Sequence, residues 1–159
     1  MFDDYIRARK QGLRAYQSAL QAHKPTHLPV LDEIVNIKPL THVTIGLTQI
    51  PLDRVVGTAT QGRSNAFAPN FMPILEPNSE FAHKWVKLYD NVAENGMLQP
   101  ATVLEYMNKY YLVEGNKRIS VMKYLDAVLI EAEVTRILTL IREDGALAAY
   151  RACLRADAQ

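Results

Sequence analysis

Glu114-Gly115-Asn116-Lys117-Arg118 sets a carboxylate, a glycine, a carboxamide and two cations in direct succession. Apolar Tyr110-Tyr111-Leu112-Val113 precedes them and Ile119-Ser120-Val121-Met122 follows, so the run reads as strand, turn and helix. A helix start leaves backbone N–H groups without intrahelical partners, and the helix dipole adds partial positive charge there. Gly115 permits backbone angles closed to other residues and lets an anion come close. Asn116 can cap the helix or donate an amide hydrogen bond. Lys117 and Arg118 add two full charges, and a guanidinium can grip a phosphate with two parallel hydrogen bonds. Together these parts form a cradle for phosphate oxygens. Glu114, at the strand end, could hold a divalent cation, a ribose hydroxyl or the Lys117 ammonium. Solvated cations behind a capping Asn would give the same five letters, and one glycine is a weaker signal than a Walker-type loop.

The rest of the chain must position that turn. Its 159 residues suit one domain, and 48% hydrophobic with 22% charged residues is a globular composition. A chain of this length can bury a core without staples. The net charge of +1 gives no global case for nucleic acid, so any such case must rest on a local patch. The single cysteine, Cys153, excludes an intrachain disulfide and a multi-cysteine metal site, and reads as a bystander thiol. His23 and His27 are separated by Pro25, so no metal site is expected there. No apolar run reaches the ~20 residues of a membrane helix. The opening MFDDYIRARK lacks a signal peptide's apolar core, and a cytoplasmic location without a membrane partner is expected.

Tyr5, Ile6, Leu13, Tyr16 and Leu20 fall near helical spacing between Arg7, Arg9, Lys10 and Arg14, which predicts a helix over 3 to 23. It should dock on the domain or on a second copy. LPVLDEIV, beyond Pro25, fits a short helix or a strand. Val43, Ile45, Leu47 and Ile50 predict a strand over about 43 to 50, with a turn at Pro51. GTATQGRSNAFAPNFMPI is a loop of small and turn-forming residues that carries Arg63 and Asn65. Loops this long in compact domains are usually functional or disordered.

Ser79 can cap a helix whose Phe81, Trp85, Leu88 and Val92 share a face and whose stop is Gly96. Two strands follow, at about 101 to 106 and 110 to 114, joined at Met107-Asn108-Lys109. A helix over 117 to 125, a strand over about 128 to 136 and a last helix beyond Asp144-Gly145 complete the reading, with no internal repeat. Trp85, Tyr106, Tyr110 and Tyr111 could stack on bases. Helical spacing and strand alternation make them core or edge residues first.

The order of parts resembles the ParB/sulfiredoxin-like fold family, whose members include ParB-like nuclease domains. The resemblance rests on IPLDRVVG at 50 to 57, GRSN at 62 to 65, ENGMLQP at 94 to 100 and YYLVEGNKR at 110 to 118, and covers about 43 to 136. The 57 to 75 loop looks like a subgroup whose module precedes substrate-binding-protein-like domains. In ParB partition proteins the matching Gly-Glu-Arg-Arg turn contacts the triphosphate of CTP. Gly115, Asn116, Lys117 and Arg118 match its four positions, which implies ligand contacts for them. Asn116 replaces the glutamate, so metal and hydrolysis roles do not carry across, and Glu114 is the nearby carboxylate. Sulfiredoxin has a catalytic cysteine where Asn116 stands, so sulfinic acid reduction is not expected. In relatives that phosphorylate free amino acids the turn carries two histidines; Glu114 and Arg118 fit that outline, but both histidines are missing here. The family often lays an arginine from the early loop over the same phosphates, which implies Arg63 and, beside it, Asn65. No room follows residue 136 for the helix-turn-helix of partition proteins.

The resemblance and the residues together imply an α+β fold: a small mixed β-sheet flanked by helices, with N- and C-terminal helices. The expected division is an N-terminal helical extension over 1–40, the ParB/sulfiredoxin-like domain over 41–138 and a C-terminal helix over 139–159. The expected function is a nucleotide- or phosphate-binding module with a regulatory or sensing role. The expected ligand is a nucleotide, with Mg²⁺ as its companion. Its site is an anion pocket between the 57 to 65 loop and the 114 to 118 turn, built from Glu114, Gly115, Asn116, Lys117, Arg118, Arg63 and Asn65. No catalytic residue is assigned. The alternative is a DNA-associated regulator or a ParB-like nuclease, suggested by five Lys/Arg against two Asp in residues 1–24. No cluster of acids is spaced for two metals, which places the nuclease below binding. The terminal helices could also mediate a homodimer.

Overall fold

The β-branched runs become five strands of one mixed sheet. A computed structural model describes residues 2–62, 64–96 and 99–141. The strands are β1 (Leu40–Pro51), β2 (Val55–Thr58), β3 (Ala101–Tyr106), β4 (Lys109–Glu114) and β5 (Leu129–Ile141). The helices are α1 (Phe2–Gln21), α2 (Leu31–Ile34), α3 (Glu80–Asn95) and α4 (Asn116–Tyr124). The sheet order is β1-β5-β3-β4-β2, antiparallel at β1/β5 and β3/β4 and parallel at β5/β3 and β4/β2. This is the α+β arrangement with a mixed sheet and flanking helices that the sequence implied.

Local signals explain several boundaries. Ser79 Oγ accepts from the Ala82 N–H at 3.1 Å and starts α3. At the far end of α3 the Gly96 N–H donates to Val92 O at 2.7 Å. The β3/β4 hairpin closes through Met107 and Asn108, whose φ angles of 50° and 67° are the left-handed pair that a tight two-residue turn demands. Lys109, expected in that turn, is already the first residue of β4. LPVLDEIV resolves into a bridge at Val30 to Thr58 and the short helix α2.

β1 and β5 run longer than their apolar patterns suggest, because each pairs with the other from Leu40↔Ile141 to Pro51↔Leu129. Residues 139 to 141 are therefore strand rather than the expected C-terminal helix. The remainder of that helix, Cys153 with it, lies outside the described residues.

The helical layer holds the core. Trp85 is fully buried at its centre. Tyr5 of α1 meets it edge-on at 5.5 Å, Tyr124 of α4 edge-on at 5.6 Å, and Tyr89 stacks on it at 5.8 Å. The Trp85 indole N–H donates to Ser120 Oγ at 2.9 Å, so α4 is tied to α3 by a buried bond as well as by packing. Asp4 of α1 accepts from the Tyr124 hydroxyl at 2.8 Å, and the Tyr5 hydroxyl donates to Leu75 O at 2.7 Å. α1 thus contributes Tyr5 and Ala8 to the same core as the sheet. Among the described residues no helix is long and apolar enough to cross a membrane.

Candidate functional site

β4 delivers the chain to the turn and α4 carries it away. Between them Gly115 adopts φ 104°, ψ 23°, a left-handed geometry that suits glycine. The N-cap is Gly115 itself, with no side-chain cap, and Asn116 is the first helical residue. This corrects the expectation that Asn116 caps the helix. The Ile119 N–H to Gly115 O bond, at 2.9 Å, is the first of the helical ladder. The N–H groups of Asn116, Lys117 and Arg118 therefore precede that ladder and sit at the positive end of the α4 dipole.

The turn opens into a cavity of about 500 Å³. Glu114, Gly115, Asn116, Lys117 and Arg118 line one side of it, joined by Gln99. Phe67, Phe81, Leu88 and Val113 supply an apolar wall. The two cations are half-buried and both line this shared space. Lys117 Nζ stands 5.5 Å from the centre of the Phe81 ring, within cation–π range. Arg118 Nη1 donates to Gln99 O at 3.3 Å and to Gln99 Oε1 at 3.4 Å, long bonds that orient the guanidinium without using all its donors. Asn116 Oδ1 is buried and, among the described residues, has no hydrogen-bond partner. A buried polar atom left unpaired is unfavourable until something binds to it.

The early loop is placed differently from the expectation. Asn65 is exposed in a short 3-10 turn and is not among the residues that line the cavity. Arg63 lies outside the described residues. Among the described residues the far wall of the cavity is α3 with Phe67, and Asn65 is not part of it. Phe67, Phe81, Leu88 and Gln99 were not singled out from sequence. The three apolar residues carry only a core signal. Gln99 had a hint, as the polar residue before Pro100 at the entry to β3.

The stacking candidates are core and edge residues. Trp85 is fully buried, Tyr111 is nearly so, and burial raises the hydroxyl pKa of both Tyr110 and Tyr111. Among the described residues no group of three or more His, Cys, Asp or Glu could hold a metal ion. Glu114 is the one carboxylate lining the cavity among them.

Fold and cavity together define an α+β domain whose strand-to-helix turn presents two cations beside an apolar wall. No protein-family model matches the chain, and no curated protein matches it by sequence. Among solved structures, sulfiredoxin from Arabidopsis thaliana is similar at 18% identity and TM-score 0.38, covering 68% of this chain and 96% of that one. The C-terminally truncated chromosome-partitioning protein ParB from Caulobacter crescentus, complexed with CTP-gamma-S, is similar at 14% identity and TM-score 0.41. That match covers 72% of this chain and 54% of the ParB chain. A Pnob8-like ParB-N domain is similar at 13% identity and TM-score 0.37, covering 71% of this chain and 35% of that one. The chain thus spans about half of the one ParB chain and about a third of the other. These are likenesses of chain path, and the chemistry of the cavity follows from its own lining.

Proposed function

We propose that the cavity beside Gly115 binds a phosphate-bearing small molecule, with nucleotides first among the classes, and that the domain acts as a ligand-responsive module. One observation carries this reading: Lys117, Arg118 and the uncapped start of α4 open into the same space as the Phe67, Phe81, Leu88 and Val113 wall. Phosphate oxygens suit the first group and a flat base suits the second. The buried Asn116 carboxamide adds a directional contact: its oxygen can accept from a ligand N–H, or the amide turned over can donate to a phosphate oxygen. Mg²⁺ fits as a companion of the phosphates with Glu114 beside it, since that ion keeps several waters and few protein ligands.

Calorimetric titration with CTP, ATP and GTP, with and without Mg²⁺, tests the reading. CTP is included because the resemblance of the 115 to 118 turn implies it. At least one nucleotide should bind, and Lys117→Ala or Arg118→Ala should weaken it by about tenfold to a hundredfold, the worth of a hydrogen bond to a charged group. Heat no greater than dilution for all three at millimolar ligand would refute it.

DNA association draws less support from the surface. Arg7 pairs with Asp4 at 3.5 Å, and Arg9 reaches Glu76 Oε1 at 3.1 Å and Ile74 O at 3.2 Å. Two of the basic residues of α1 therefore have carboxylates beside them.

A further inference from the structure

The two outer strands of the sheet are finished in different ways. The free side of β2 is occupied: Pro29 O accepts the Thr58 N–H at 2.9 Å, and Val30 bridges to Thr58. Among the described residues the free side of β1 is not. Among the described residues, Thr41 to Pro51 makes its backbone ladder with β5 alone. Strands left open at a sheet edge normally carry charges or proline that deter pairing. LTHVTIGLTQIPL, from Leu40 to Leu52, carries no charged residue, and its single proline stands at the strand's last position. Val43, Ile45 and Leu47 are 37%, 41% and 56% exposed along it.

We propose that β1 is a self-pairing edge: two copies of this chain join antiparallel through Leu40–Pro51, about a two-fold axis passing between Ile45 and Gly46, so that their sheets become one. Two features select a second copy over an unrelated strand. The first is charge. Beyond the ends of β1 the nearest charged residues are Lys38 and Asp53, of opposite sign. Full-length antiparallel self-pairing sets Leu40 opposite Pro51 and brings Lys38 of each copy toward Asp53 of the other. Opposite charges meet at both ends, and no like pair meets between them.

The second feature is the bulge. The β1/β5 register slips between Thr44 and Gly46, so Ile45 is an extra residue, and Gly46 takes φ 93°. A straight strand crosses the bulge only by setting one residue opposite two, as β5 does on the other side. In the self-paired arrangement the irregularity falls on the axis. The regular halves Thr41–Thr44 and Leu47–Ile50 face one another, and Ile45 faces Gly46. A Cβ placed on Gly46 meets nothing within 4 Å, so there is room for the isoleucine above it. The interface is isologous, as a closed dimer requires. It also leaves the cavity beside Gly115 untouched, on the β4 side of the sheet.

Sedimentation of the full chain from low micromolar to near-millimolar concentration tests this. The expected result is a concentration-dependent dimer. Ile45→Lys sets two like charges beside the axis and should hold the chain monomeric, with an unchanged circular dichroism spectrum and, at dilutions where the wild type is also monomeric, an unchanged thermal midpoint. Lys38→Asp, at an exposed site, should weaken the dimer by about tenfold at low salt through repulsion from Asp53 of the second copy. A wild-type chain that stays monomeric throughout overturns the proposal. So does a folded Ile45→Lys or Lys38→Asp chain that dimerises with wild-type affinity.

Discussion

The turn at Gly115 and the β1/β5 arm are both fed by alternating apolar strands and are supported very differently. Around the turn, α4 is held from behind by Trp85 and Tyr89, with Tyr5 packed on Trp85, and its first residues meet Phe81 of α3 and Gln99. Along the arm, β1 alternates just as cleanly but shields almost nothing: Ile50 is its single fully buried residue. The contrast teaches that apolar periodicity reports how a segment is folded locally. What the segment is folded against comes from the rest of the chain. A binding turn needs its donors held still, whereas an edge needs only to stay extended and exposed.

The largest blow to the contrast is Trp85→Ala. It empties the centre of the helical layer and should lower stability by about 3 to 5 kcal/mol, measured by denaturant unfolding. Ligand binding should fall with it, because Ser120 of α4 loses its buried bond from the Trp85 indole. An effect under about 1 kcal/mol would mean that the turn is not held from behind. Gly115→Ala comes next. It forces a side chain into the left-handed region and brings a Cβ to 3.3 Å from Arg118 Nη2. The expected cost is about 1 to 2 kcal/mol, with ligand affinity reduced as the guanidinium moves.

Tyr5→Phe removes the hydroxyl bond to Leu75 O and should cost about 1 kcal/mol at neutral pH. Its pH dependence sharpens the point. Burial pushes the Tyr5 hydroxyl pKa from 10.0 to about 12, so the folded state holds the proton longer than the unfolded one. The associated stability is complete below pH 10 and is lost as pH rises through 12. Alkaline melts should therefore fall less steeply in Tyr5→Phe than in the wild type. Leu47→Ser, in the middle of the arm, is the smallest change. In dilute solution it should move stability by no more than about 0.5 kcal/mol, as surface substitutions do. A cost near that of Trp85→Ala would erase the distinction between the two regions.

Much of the local structure was legible. The Ser79 cap, the hairpin at Met107-Asn108 and the break at Glu114-Gly115 are encoded within a few residues of where they act. The cations of the turn were legible for the same reason, being neighbours in sequence. The wall opposite them was not. Phe81 and Leu88 sit at helical spacing with Trp85, and spacing alone cannot separate the residue at the centre of a core from those at the rim of a cavity. Asn65 illustrates the converse: it stands in a loop of the right composition, yet it is exposed in a 3-10 turn and outside the cavity lining. The lengths of β1 and β5 were hidden too, because each end is set by pairing with a segment far along the chain.

That distant pairing orders events during synthesis. β5 lies between β1 and β3, so β1 stays apart from β3, β4 and β2 until the last described strand has left the ribosome. Leu40 must wait for Ile141. For all that time the uncharged β1 segment is unpaired on both sides, and unpaired strands of this kind are where folding chains are prone to aggregate.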